Sequence, residues 1–263
     1  MFCAYLTPIS LFSSPLDVKG DFFMPIIKAN QSYFTYIKKI ATAALFAALA
    51  YVAMFVTSWI KVGFLTFDAK DTIITLAGLL FGPVYALSIS LTVAVLELIT
   101  VGDTGFYGFF MNLLSSAAFS TVCALIYKYK KNIKGAIIGL ITSVLSMTAI
   151  MLLFNLFITP LYMNVPRQVV ASMIPTLFLP FNLTKGLLNA ALVLILYKPI
   201  SQALKAAKIL PTRPQTVTDE EALREKKRKN IIFSLVVTAV GIVTVALCAV
   251  VFLVFLHGTI SFK

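Results

Sequence analysis

Seven apolar runs follow one another along this chain of 263 residues, and most are close to the roughly 20 residues that cross a bilayer as a helix. The runs do not alternate between apolar and polar positions, which favours helices over a membrane barrel. We therefore predict an all-α integral membrane protein with spans at 36–60, 71–81, 84–101, 106–127, 134–158, 169–197 and 231–256. The second run is too short to cross alone, so it either begins at Thr66 or lies against protein and not lipid.

The runs divide the chain into four parts. Residues 1–35 form an N-terminal extension without a clear span, and one hypothesis is that translation starts at Met24. Residues 36–204 form a six-helix membrane domain, 205–230 a polar cytoplasmic linker, and 231–263 one additional C-terminal transmembrane helix with a short tail. The end of the linker either forms a short helix, because acidic residues precede basic ones, or a solvated tether on the anionic leaflet.

Composition supports the membrane assignment, since 60% of residues are hydrophobic and 12% are charged, against about 25% charged in soluble domains. The net charge of +12 is unevenly placed. With a cytoplasmic N-terminus, 17 basic residues fall on the inner side, in segments 1–39, 128–134 and 198–230. Four fall on the outer side: Lys61, Lys70, Arg167 and Lys263. This asymmetry follows the positive-inside rule, so the charge indicates topology and not nucleic-acid binding.

Several function classes lack their sequence signals. The cysteines Cys3, Cys123 and Cys248 are scattered and His257 is the only histidine, so neither a disulfide framework nor a metal site is expected. The sequence has no GxxxxGK[ST], HExxH or nucleophile elbow, and we expect neither an enzyme nor a built-in ATPase. No span carries the acidic, histidine or arginine series of a proton-coupled carrier.

Two charged residues lie well inside the predicted spans, away from their first residues. Glu97 is near the outer interface, close to Asp103 in the sequence. It is either a carboxylate at the membrane interface or a functional residue. Lys185 is deeper, with Asn182 three residues before it and Asn189 four after it, on one helical face. A buried unpaired ammonium is expensive, so ligand acceptors and amide oxygens would have to solvate it. We predict that Lys185 faces a polar or ligand-filled cavity.

Asparagines and aromatic residues surround the same region. Asn112 interrupts the fourth run and Asn155 lies near the outer end of the fifth, either as hydrogen-bonded helix contacts or as ligand-binding residues. The aromatic residues near these outer ends are Phe106, Tyr107, Phe109, Phe110, Phe154, Phe178 and Phe181. Flat apolar walls with a few convergent polar groups suit a planar heterocycle that is rich in carbonyl and ring-nitrogen acceptors.

Small residues recur at a spacing of four. The pairs Ala43/Ala47 and Ala44/Ala48 lie in the first span, and "GLLFG" (78–82) and "GAIIG" (135–139) add others. Such pairs let helices approach closely. They serve either packing within the chain or a smooth surface for a partner membrane protein.

Four stretches carry a resemblance to a known family: "AALFAALAYVA" (43–53), "FLTFDAKDTIITLAGLLFGPVYAL" (64–87), "FNLFITPLY" (154–162) and "PFNLTKGLLNAALVLILYKPI" (180–200). Residues 36–204 resemble the substrate-binding S component of energy-coupling-factor (ECF) vitamin transporters, most of all the riboflavin-specific ones. The N-x-x-K-G spacing in the last stretch is the most similar feature.

The resemblance implies a six-helix protein of the bacterial cell membrane. It would bind riboflavin from outside as cargo, with no cofactor, and deliver it with a transmembrane coupling protein and two ATPases by toppling in the membrane. The implied ligand-binding residues are Asn182, Lys185 and Asn155, with Asp68 in a loop (61–71) that closes over the site; Asn112 and Asn189 are further candidates from their position. The implied contacts to the coupling protein are Ala43, Ala44, Ala47 and Ala48.

One departure keeps alternatives open. Riboflavin-type members often carry a glutamate shortly before the asparagine of the fourth helix, and here Phe109 and Phe110 lie near that place. The vitamin could instead be thiamine, folate, biotin or a queuosine precursor. A membrane scaffold whose polar residues only join helices, or a solitary facilitator, are the alternatives of other classes.

Overall fold

The computed structural model describes residues 18–101, 105–207, 209, 220–255 and 259–260. Its elements in chain order are α1 (Val18–Thr57), β1 (Ile60–Val62), β2 (Leu65–Thr66), α2 (Lys70–Phe81), α3 (Pro83–Thr100), α4 (Gly105–Tyr129), α5 (Ile133–Met163), α6 (Arg167–Met173), a π-helical segment (Ile174–Phe178), α7 (Leu179–Ala206), α8 (Glu220–Val250), a second π-helical segment (Val251–Phe255) and β3 (Thr259–Ile260). The chain divides into two units, Met1–Thr42 and Ala43–Lys263. The first contains the N-terminal part of α1, and the site described below lies in the second.

Within the described residues, six helical stretches are long and apolar enough to cross a membrane: 37–57, 83–100, 105–129, 133–163, 167–206 and 235–253. Each coincides with one of the predicted runs. The prediction of an all-α membrane protein is therefore confirmed. The one predicted span that is too short to cross a membrane is α2.

The helix α2 has 12 residues, and nine of them are buried inside the protein. It packs against α3, α4 and α7. Thr66 belongs to β2, so the expectation that this span begins at Thr66 is wrong, and the alternative of a helix lying against protein is correct. The helix stops because Gly82 adopts a positive φ of 109°, and Pro83 then starts α3 at a position where its missing N–H costs nothing.

Glycines let α2 and α5 approach their neighbours closely. A Cβ added at Gly78 would lie 2.9 Å from the Cβ atoms of both Ala124 and Ala86. A Cβ added at Gly139 would lie 3.1 Å from the carbonyl oxygen of Cys123. Gly78 and Gly139 therefore contribute to packing within the chain, whereas a Cβ added at Gly82 would meet nothing within 4 Å.

The alanine pairs of α1 fall on different faces. Ala47 is buried in a core cluster together with Phe46, and Ala43 packs against that cluster. Ala44 and Ala48 are exposed. The helical spacing separates the four alanines into one pair that serves the core and one that is free for a partner or for lipid.

Several boundaries differ from the predicted ones. α1 begins at Val18 within the predicted N-terminal extension, while residues 1–17 and Asp103 lie outside the described residues. α7 continues to Ala206 and α8 begins at Glu220, so both ends of the predicted linker 205–230 are helical.

The C-terminal part of the chain returns to the loop that follows α1. α8 packs along α7, and a Cβ added at Gly241 would lie 2.8 Å from Cγ1 of Ile195. After α8, β3 pairs antiparallel with β1, giving a small sheet in the order β2-β1-β3. Both edges of β1 are therefore paired.

Candidate functional site

A cavity of about 560 Å³ lies at the end of the bundle where α1, α3 and α8 finish and α2, α4 and α7 begin. This volume is within the roughly 300–1,000 Å³ of small-molecule sites. The wall includes residues of the loop 60–66, the last turn of α3, the first turns of α4 and the C-terminal half of α5. Of the predicted ligand-binding residues, the lining contains Asp68, Asn112, Asn155, Asn182 and Lys185.

An irregular stretch of helix positions Asn182 and Lys185. Pro175 and Pro180 lack an N–H donor, and the chain between α6 and α7 forms a π-helical segment. Nδ2 of Asn182 donates to the carbonyl oxygen of Phe178 at 2.8 Å, which fixes the amide while leaving a second N–H for another acceptor. Lys185 follows one turn later on the same face and is 6% exposed.

Lys185 has a partner within the protein. Its Nζ donates to Oδ2 of Asp68 at 2.8 Å, and both side chains are 7% exposed. The expectation that ligand and amide oxygens alone solvate this ammonium is therefore wrong, because the loop before α2 supplies a carboxylate. Burial raises the pKa of Asp68, but the ammonium groups of Lys185 and Lys70 outweigh burial and hold this pKa below its usual value. Two further N–H groups of Lys185 are available to a ligand.

A second buried ion pair joins α2 to α3, and sequence reasoning missed it. Nζ of Lys70 donates to Oε1 of Glu97, and both residues line the cavity. Lys70 is 2% exposed, so it is a buried lysine at the start of α2 and not an exposed charge of the loop before it. The interpretation of Glu97 as an interfacial carboxylate is wrong, since Glu97 is 4% exposed. The available signal was the run of charges in "DAKD" (68–71), directly before a helix too short to span.

The buried charges do not balance. Among the residues whose burial the structure describes, three acidic residues (Asp68, Asp71 and Glu97) meet two lysines (Lys70 and Lys185), which leaves a formal charge of −1 for these five. Oδ1 of Asp71 accepts a hydrogen bond from Ser116 at 2.6 Å. An unpaired buried acceptor is expensive, so this part of the molecule favours a ligand that brings hydrogen-bond donors.

Three lining residues carry such acceptors. Oδ1 of Asp68, Oε2 of Glu97 and Oγ of Ser115 are buried and have no hydrogen-bond partner among the described residues. We call Glu97, Ser115 and Asp68 the acceptor pole. The cavity thus combines an acceptor pole, carried by the loop before α2, by α3 and by α4, with the amides and the ammonium of α4, α5 and α7.

Asn189 supports the site from outside the lining. Its Oδ1 accepts from the backbone N of Thr72 at 3.1 Å, and its Nδ2 donates to the carbonyl oxygens of Asp68 and Lys185 at 3.2 and 3.0 Å. The expectation that Asn189 binds the ligand is therefore corrected, because its amide is fully used in holding the start of α2 against α7.

Asn155 and Asn112 reach the cavity from α5 and α4. Asn155 is 2% exposed; its Nδ2 donates to the carbonyl oxygen of Met151 at 2.7 Å, and its Oδ1 accepts from Thr159 at 2.9 Å. These bonds orient the amide and leave one N–H. Asn112 is half-buried on α4.

The aromatic wall differs in part from the predicted one. Tyr107, Phe109 and Phe181 line the cavity as expected. Phe106 and Phe110 are exposed, Phe154 is not in the lining, and Phe178 is buried beneath Phe64, with ring centroids 5.8 Å apart. The additional aromatic residues of the lining, not predicted, are Phe55, Trp59, Phe64 and Tyr162.

A helical membrane bundle with a polar, aromatic-lined cavity at one end defines a membrane protein that binds a small solute. The family model for "ECF transporter, substrate-specific component" matches residues 38–201. The chain belongs to this family of substrate-specific components of ECF transporters, and it is a multi-pass protein of the bacterial cell membrane. The family is a transporter component and not an enzyme.

Two relatives agree with this assignment. The chain is 31% identical over 181 residues to the riboflavin transporter RibU of Staphylococcus aureus (strain TCH60), which covers 64% of this chain and 93% of that protein. A solved structure of the S component of a bacterial ECF transporter is 29% identical, with a TM-score of 0.55, and covers 65% of this chain and 99% of its own. α8 and β3 lie beyond the segment matched by the family model.

Proposed function

We propose that this chain binds riboflavin, or a closely related flavin, in the cavity. The observation that carries the proposal is the convergence of Lys185, Asn182, Asn155 and Asn112 on one aromatic-lined cavity in a relative of a riboflavin transporter. The amides and the ammonium would donate to the carbonyl and ring-nitrogen acceptors of the isoalloxazine. The acceptor pole would receive the hydroxyl groups of the ribityl chain, so one ligand would satisfy both kinds of protein group.

The cavity is proposed to open to the outside, with a cytoplasmic N-terminus. The basic segment 128–134 joins the ends of α4 and α5 that are remote from the cavity, which fits the positive-inside rule. Delivery would require an ATP-driven module of a transmembrane coupling protein and two ATPases. The exposed pair Ala44 and Ala48 is the proposed contact with the coupling protein.

The test is an absorbance spectrum of detergent-purified protein from riboflavin-fed cells, followed by titration of the unliganded protein with riboflavin. We expect a yellow protein that quenches riboflavin fluorescence with saturation. Thiamine, folate and biotin serve as comparison ligands, and they can be followed through Trp59, the only tryptophan of the chain, which lines the cavity. A colourless protein that leaves riboflavin fluorescence unchanged would contradict the flavin assignment and favour another vitamin.

The transport part has its own measurement. Riboflavin uptake in vesicles should depend on ATP and on the coupling protein and ATPases, which should also co-purify with the chain. Uptake that persists without any ATPase would indicate a solitary facilitator. No ligand and no co-purifying subunits would indicate a scaffold.

A further inference from the structure

The segment that follows α8 lies outside residues 38–201, which the family model matches, and it contacts the wall of the cavity. Phe252 packs against Val62 of β1 and Phe181 of α7. β3 then pairs with β1, Thr259 opposite Lys61 and Ile260 opposite Ile60. We call Phe252 together with β3 the C-terminal clasp.

The contacted elements are those that enclose the cavity. The loop 60–66 consists of β1, a turn with Gly63 at a φ of 57°, and β2. Lys61, Phe64 and Leu65 of this loop line the cavity, as does Phe181. The clasp therefore supports two neighbouring parts of the wall without lining the cavity itself.

Without the clasp the loop keeps the packing of Val62 on Phe181 and of Phe64 on Phe178, but it has few strand pairs. β1 and β2 share two residue pairs, Lys61 with Thr66 and Val62 with Leu65. An isolated two-stranded hairpin is marginal in water, and a third strand is the usual way to stabilise one. β3 supplies that third strand on the edge of β1 that β2 leaves free. Phe252, which follows α8, packs against the apolar cluster of Val62 and Phe181.

α8 holds the clasp in place through its close packing against α7. α8 lies along α7, where Gly241 approaches Ile195 and the carbonyl oxygen of Ala191. The clasp is thus anchored on the helix that carries Lys185 and Asn182. A loop held near its ligand-enclosing arrangement loses less conformational freedom when a ligand binds.

We propose that the C-terminal clasp positions the loop 60–66 over the cavity and slows the exchange of bound ligand. The clasp contacts no ligand and acts through the loop, so its residues are positioning residues. The use of riboflavin as a probe rests on the proposed function. The effect on the loop itself does not, and it is measured without ligand.

The first experiment is hydrogen exchange, followed by mass spectrometry, on the full unliganded chain in detergent. The variants are Phe252→Ala and the double substitution Thr259→Pro with Ile260→Pro, which removes the donors that β3 needs for pairing. Leu253→Ala is the matched control, because Leu253 is next to Phe252 but is 56% exposed. We expect peptides covering 60–66 to exchange about tenfold faster in both clasp variants and unchanged in the control.

The second experiment is riboflavin dissociation, measured by stopped-flow fluorescence with an excess of competitor. We expect about tenfold faster dissociation in the clasp variants with little change in the association rate, since most changes within one binding site act on dissociation. Phe252→Leu keeps an apolar contact and should restore most of the slow dissociation. A merely structural role would instead lower the melting temperature without this split between the two rates.

The outcomes separate the two proposals. Unchanged exchange of 60–66 in both clasp variants, or equal changes in Leu253→Ala, would overturn the positioning role. Faster exchange of the loop with unchanged dissociation would overturn the link to ligand retention. A wild-type chain that binds no riboflavin would overturn the proposed function, while the exchange result would still decide whether the clasp positions the loop.

Discussion

Replacement of Lys185 tests both the ligand model and the buried ion pair. Lys185→Met keeps much of the apolar stem but removes the ammonium that lies 2.8 Å from Oδ2 of Asp68. Loss of a charge-assisted hydrogen bond to the ligand costs about 1.5–3 kcal/mol. This corresponds to at least about a tenfold weaker riboflavin affinity, since 1.4 kcal/mol is a factor of ten.

The same substitution also removes the nearest cation of a buried carboxylate, because Nζ of Lys185 lies 2.8 Å from Oδ2 of Asp68 and Nζ of Lys70 lies 3.8 Å from it. Oδ1 of Asp68 already lacks a partner, and removal of one member of a buried ion pair typically costs about 3–5 kcal/mol of stability. Weaker binding by Lys185→Met alone could therefore reflect a damaged fold. The matched variants are Asp68→Asn and the double variant Asp68→Asn with Lys185→Met, which removes both charges.

We expect the double variant to recover much of the melting temperature lost by Lys185→Met but not its riboflavin affinity. Affinity is measured by quenching of riboflavin fluorescence and stability by thermal unfolding in the same detergent. Unchanged affinity in Lys185→Met would refute the ligand-donor role. Full recovery of affinity in the double variant would show that the lysine serves only to neutralise Asp68.

Three further changes test other parts of the molecule. Ser115→Ala should weaken riboflavin binding about three- to tenfold but leave the affinity for lumiflavin unchanged, because lumiflavin lacks the hydroxylated side chain. The control in both titrations is Thr148→Val, which removes a buried hydroxyl without a hydrogen-bond partner among the described residues and outside the cavity lining. Ala44→Leu with Ala48→Leu should preserve riboflavin binding while co-purification of the coupling protein and ATP-driven uptake are lost, and normal uptake by this variant would remove the proposed contact. Gly78→Ala should destabilise the protein by about 1–3 kcal/mol, seen as a lower melting temperature, because its Cβ would lie 2.9 Å from two neighbouring Cβ atoms.

Local patterns predicted those features of the site that arise within one helix. The spacing of Asn182, Lys185 and Asn189 fixed a shared face of α7, and the structure places the first two in the cavity lining. That spacing could not separate a lining residue from a supporting one, because Asn189 becomes unavailable only through its contacts with Thr72 and Asp68.

Features that join distant segments were not predictable in the same way. Lys70 and Glu97 are 27 residues apart, and each has an ordinary surface interpretation until α2 packs against α3. β1 and β3 are too short for an alternating pattern to identify either as a strand. That they pair with each other depends on where α8 ends, which the local sequence does not indicate. The short length of α2, by contrast, is predicted by hydropathy, because its apolar run stops at Gly82 and Pro83.

The shortness of α2 has a consequence for how the protein enters the membrane. Its 12 residues span about 18 Å as a helix, well below the roughly 30 Å of a hydrocarbon core. It also starts with Lys70 and Asp71, both of which are buried. A segment of this kind is too short to insert as a span of its own. Lys70 reaches its carboxylate partner only when α3 is in place, and Asp71 reaches its hydrogen-bond donor Ser116 only when α4 is in place. Biogenesis of the binding site therefore depends on α2 entering the membrane together with its neighbours, so the polar groups of the site are sheltered by protein from the moment they reach membrane depth.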